Sequence, residues 1–81
     1  MIRVEAERMI EANRKNSEDG KILMFDRIQM KVLGELLFGK DFDGFSVAEK
    51  GKKVCAELEE MGWKFDEAMT SLFELAVFKK V

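Results

Sequence analysis

Apolar side chains return every three or four positions along most of this chain, and the points where that rhythm stops divide it into elements. Over residues 2–15, Ile2, Ala6, Met9, Ile10 and Asn13 share one helical face, while Arg3, Glu5, Glu7, Arg8, Glu11, Arg14 and Lys15 lie away from it. That is the pattern of an amphipathic helix laid on a core. Arg3/Glu7 and Glu11/Lys15 are opposite charges four apart, each pair worth about 0.2–0.5 kcal/mol on a helix surface. The stretch "NSEDG" breaks the rhythm, with Gly20 as its stop or turn residue.

Residues 21–38, "KILMFDRIQMKVLGELLF", are the most apolar part of the chain, and Arg27, Lys31 and Glu35 form a narrow polar stripe with a spacing of four. Read as one helix, this segment is apolar around most of its circumference and must be covered on several sides. It would then be the central helix of the fold or part of an oligomer interface. A strand at 21–25, after the "DG" turn, is the competing reading.

Further on, Ser46 and Glu49 make the S-x-x-E pattern of a capping box, so a helix starts there. Val47, Gly51, Val54, Leu58 and Met61 then repeat with spacing 4-3-4-3, flanked by Cys55. Gly51 on this seam costs roughly 1 kcal/mol in helix propensity and predicts the close approach of another backbone. Gly62 stands where a glycine ends a helix. In "WKFDEAMTSLFELAVFKKV", Asp66 and Glu67 precede Lys79 and Lys80 in the sense the helix dipole favours, and Phe65, Met69, Leu72 and Ala76 repeat with spacing 4-3-4. Phe73, Val77 and Phe78 widen that face beyond what one partner helix covers.

These patterns predict a single all-α domain over residues 1–81, a small bundle of four helices at 2–16, 21–38, 46–61 and 64–80. The surplus of apolar surface on the second and fourth helices predicts completion by dimerisation or by a larger protein.

Composition narrows the chemistry more than it names it. The chain has 81 residues, 47% hydrophobic and 37% charged, which describes a soluble globular domain and not a disordered tail. A domain of this size buries only about 60% of the surface its unfolded chain exposes, which leaves little room for a deep active site. Its formal net charge is −2, from +1 over residues 1–40 and −3 over 41–81. Neither half has the basic excess of a nucleic-acid binder. The chain contains no histidine and one cysteine, Cys55, so an intramolecular disulfide, the usual zinc ligand sets and Ser/His or Cys/His catalysis are excluded. The amino terminus lacks the continuous apolar core of a signal peptide, and there is no run of 18 apolar residues. The sequence therefore predicts a cytoplasmic protein without membrane spans, cofactor or metal, and not an enzyme.

"DFDGFSVAE" offers Asp41, Asp43 and Glu49 as hard oxygen ligands, but an EF-hand loop needs glycine at position six and glutamate at twelve. Counting from Asp41, Gly44 is fourth and Glu49 ninth. The segment reads instead as a polar turn anchored by Phe42 and Phe45. "EKGKK" brings Lys50, Lys52 and Lys53 near a helix start, where an anion could bind, although three lysines in four positions commonly make a solvated face. "FSVAEKGKKVCAELEEMG" resembles the helix that follows the wing in winged-helix transcription regulators, over under a quarter of the chain. The hairpin and recognition helix that should precede it are not legible upstream, and the likeness is one of helix-start chemistry.

The function expected by elimination is interaction: a small intracellular adaptor, regulator or inhibitor that binds another protein, the last of the kind phages and mobile elements encode. The partner-binding candidates are Trp63, Phe78 and Phe73 as aromatic anchors, with Lys52 and Lys53 as a charged rim. Trp63 has a second reading, as a plug in the corner between the last two helices. The rival function is a small helical DNA-binding regulator.

Overall fold

The computed structural model describes residues 3–40 and 44–81. Among them the chain forms α1 (Arg3–Arg14), β1 (Ile22–Phe25), α2 (Arg27–Phe38), α3 (Val47–Glu60), β2 (Trp63–Phe65), α4 (Glu67–Phe73) and β3 (Ala76–Lys80). The strands make one antiparallel sheet in the order β1-β3-β2. The expected all-α four-helix bundle is therefore wrong: this is a mixed α/β fold in which α1 and α3 stay helical near their expected positions, and the other two predicted helices are divided by strands.

The helix expected over 21–38 breaks at Asp26. Its side chain accepts from the N–H of Gln29 at 2.8 Å, and the Gln29 side chain accepts from the N–H of Asp26 at 2.9 Å. This capping box starts α2 and frees Ile22–Phe25 to pair with β3. The helix expected over 64–80 is divided twice. Asp66 caps α4, accepting from the Met69 N–H at 2.9 Å, and Glu74 ends it in the left-handed region at φ 56°, the one such non-glycine among the described residues. The central strand, β3, begins two residues later. Its Ala76, Val77 and Phe78 are all fully buried because both faces of β3 are covered.

Cross-strand partners share a face, so Leu23, Phe25, Phe65, Ala76 and Phe78 look into the core, whereas Ile22, Met24, Lys64, Val77 and Lys79 lie on the opposite side. The core is closed by Ala6 and Ile10 of α1, Met30, Leu33 and Leu37 of α2, and Val54 and Leu58 of α3. Phe78 sits at its centre, edge-on to Phe25 at 6.1 Å and tilted against Phe65 at 5.3 Å. The helical face read for α1 is the buried one. Asn13 has a further use there: its amide donates to the Met24 carbonyl at 2.6 Å and accepts from the Met24 N–H at 2.9 Å. Those groups point away from β3, so one side chain blocks part of an open sheet edge. Arg3 pairs with Glu7 as expected, and reaches Glu57 and Glu60 of α3 as well. Glu11 pairs with Arg14 in place of Lys15, which lies beyond the end of the helix.

The third helix starts where its sequence says. Ser46 Oγ accepts from the Glu49 N–H at 3.2 Å, and Glu49 Oε1 accepts from the Ser46 N–H at 2.9 Å. Ser46→Ala is expected to cost about 1 kcal/mol, read as a lower denaturant midpoint at unchanged slope. Glu49→Gln retains an acceptor in the box and should cost less. Gly51 does mark a close approach, but the neighbour is the ring of Phe65 and not a backbone. Gly62 ends the element at φ 90°. Ile2, Asp41, Phe42 and Asp43 lie outside the described residues.

Candidate functional site

The starts of α2 and α3 and the end of α4 converge on one side of the molecule. Arg27, Ser46, Val47, Ala48, Thr70, Ser71 and Glu74 line a depression there of about 350 Å³. A second cavity of about 360 Å³, lined by Arg27, Gly44, Phe45, Ser46, Glu49 and Lys50, adjoins it through Arg27 and Ser46. The position of α4 in this group depends on Thr70. Its buried hydroxyl donates to the Asp66 carbonyl at 2.7 Å and accepts from the Val77 N–H at 2.9 Å. Asp66 donates its own N–H to the Val77 carbonyl at 2.8 Å. The threonine hydroxyl thus stands in the β2–β3 ladder where the strands part, and ties the short helix to the sheet.

Charge at the site is mixed. The Ser46 N–H that Glu49 accepts holds its carboxyl below the usual carboxylate range, with Lys52 and Lys53 adding to the effect. Lys52 binds Glu67 of α4 at 2.9 Å, and that hydrogen bond raises its ammonium above the ordinary lysine value. Lys53 stacks on the Phe45 ring at 4.5 Å. Asp66 is held below its ordinary value first by the Met69 N–H and then by Lys79, 2.9 Å away.

The five residues expected to bind a partner do not form one surface. Phe78 is fully buried, and Trp63 is buried on β2 with the Lys80 ammonium over its ring at 5.1 Å. The plug reading of Trp63 fits, although the corner it fills leads from a helix into a strand. Neither aromatic is presented to solvent. Phe73 is 48% exposed at the end of α4, and Lys52 and Lys53 are exposed on α3. Lys50, grouped with them by its sequence position, is only 4% exposed. The pattern of 4-3-4 hid Leu72, which it placed on the buried seam and which is 72% exposed beside Phe73. On α2, Ile28 is 74% exposed, and Val32, one turn on, is exposed on the same side.

Among the described residues no group of three or more His, Cys, Asp or Glu could hold a metal ion, and no helix is long and apolar enough to cross a membrane. Cys55 is half-buried, its thiol 3.0 Å from the Lys52 carbonyl. No family model, no curated protein and no solved structure matches the chain.

Proposed function

We propose that this chain is a small cytoplasmic protein-interaction module, an adaptor or regulator, that engages another protein through the outer face of α4. The observation that carries the reading is the pair Leu72 and Phe73. Two large apolar side chains stand in solvent on a seven-residue helix, between Ser71 and Glu74 and a few residues from Glu67. An apolar centre with a polar rim is the anatomy of an interface, and such residues cost binding energy when removed without supporting the core. The lysine pair on α3 supplies charge near this face, and its contribution is to association rate and salt dependence. A second copy of the chain is one partner such a face accepts. Val77 and Phe78, however, are covered within one chain and offer no surface to a dimer.

The test is a double variant, Leu72→Ser with Phe73→Ser. Partner capture and any self-association seen by sedimentation should fall by a factor corresponding to at least about 1–2 kcal/mol, while the melting temperature stays nearly unchanged because both side chains are exposed. Undiminished capture by the double variant would end this reading.

The DNA-binding alternative has one observation in its favour. With α4 set aside, the order α1-β1-α2-α3-β2-β3 and the placing of β3 between β1 and β2 is winged-helix connectivity, with α4 in the wing's place and α3 in that of the recognition helix. The sequence likeness assigns that helix to the far side of the wing. Topology by itself carries no function, and α3 presents Glu49, Glu59 and Glu60 to solvent along with Lys52 and Lys53. Salt-dependent binding to duplex DNA that is lost in Lys52→Glu with Lys53→Glu would favour this alternative.

A further inference from the structure

Lys50 is the fourth residue of α3, and a side chain there runs back toward the helix start, because Cα–Cβ bonds tilt toward the N-terminus. It lines the cavity shared with Arg27, Gly44, Phe45, Ser46 and Glu49, and only 4% of it is exposed. Among the described residues its ammonium has no ion-pair or hydrogen-bond partner, and the same is true of the Arg27 guanidinium. An enclosed ammonium without a counter-charge is costly, and the positive end of a helix dipole makes it more so. The carboxylate at hand, Glu49, is engaged by the Ser46 N–H.

The backbone adds donors to these cations. Ser46 Oγ takes the N–H of Glu49, and the Ser46 carbonyl takes that of Lys50. The N–H groups of Val47 and Ala48, the first two of the helix, have no acceptor among the described residues, as geometry requires at a helix start. Both residues line the adjoining depression on the other side of Arg27 and Ser46.

We infer that the start of α3 is a binding site for a phosphate-class oxyanion, received by the backbone N–H groups of Val47 and Ala48 and by the side chains of Lys50 and Arg27. The anion supplies the counter-charge that Lys50 lacks among the described residues, at the place where N–H groups without an acceptor there and the helix dipole also favour it. Glu49 and Glu74 border the site and oppose a dianion, so binding is selective for a ligand that reaches both cations at once. Lys52 and Lys53 are engaged by Glu67 and Phe45 and play no direct part. The site adjoins the Leu72 and Phe73 face through Ser71 and Glu74 but uses neither apolar side chain.

Amide chemical shifts of the ¹⁵N-labelled chain, titrated with sodium phosphate against sodium chloride at matched ionic strength, test this. Val47 and Ala48 should shift saturably in phosphate and not in chloride, and Lys50→Met and Arg27→Gln should each weaken binding by at least about tenfold. Arg27 is exposed, so its variant remains folded and decides the matter if Lys50→Met does not fold. O-phosphoserine binding more tightly than inorganic phosphate would identify an ester-borne group as the ligand, and equal affinity would identify the free ion. Shifts that match those in chloride, or saturable binding unchanged in Arg27→Gln, would overturn the proposal.

Discussion

Phe78→Ala is expected to cost about 3–5 kcal/mol, the range for removing a large aromatic from a packed core. The whole stability of an 81-residue domain is about 4–12 kcal/mol at 0.05–0.15 kcal/mol per residue, so this single change should leave the chain marginal or unfolded. The loss is large because Phe78 is the side chain around which the sheet is organised. It lies on the central strand between Leu23 and Phe65 and contacts the rings of Phe25 and Phe65. The measurement is equilibrium urea unfolding by circular dichroism, with Phe73→Ala as comparison. The exposed Phe73 should change the midpoint little. Its sequence position gave Phe78 the opposite expectation, weakened binding with helicity intact, and a variant that behaved so would place this ring outside the core.

Gly51→Ala is expected to destabilise by about 1–3 kcal/mol as an overpacked contact, against the direction set by helix propensity, which favours alanine by about 1 kcal/mol. A Cβ at position 51 would stand 2.5 Å from Phe65 Cε1 and 2.9 Å from Cζ, closer than such atoms pack. The Phe65 ring cannot simply swing aside, because Phe78 lies against it at 5.3 Å. The missing side chain thus lets α3 sit on β2 with an aromatic ring between them. A compensating variant separates this from a general loss of helix: in Phe65→Leu, which removes the ring, Gly51→Ala should be neutral or stabilising. Urea midpoints for the four members of that double-mutant cycle give the coupling directly, and a coupling near zero would mean the ring is not the obstacle.

Local signals along the chain determined the starts and stops. The Ser46 capping box, the left-handed Gly62 and the amphipathic face of α1 are each set by residues close together in the chain, and the structure contains all three. Two further local signals stand in the same sequence: Asp26 with Gln29, and Asp66 ahead of Met69, both mark helix starts inside segments that their apolar content makes look continuous. Only the tertiary structure decided the state of the apolar runs "ILMF" and "AVF". A strand covered on both faces shows no alternation, so its sequence cannot be told by period from one side of a buried helix. β3 is such a strand because β1 and β2 flank it and helices cover it, partners that come from positions far apart in the chain. The same long-range pairing turned Phe78 inward and Leu72 outward, and it enclosed Lys50 while leaving Lys52 and Lys53 in solvent. Side-chain exposure depends on which elements meet, and short-range spacing carries no record of that meeting.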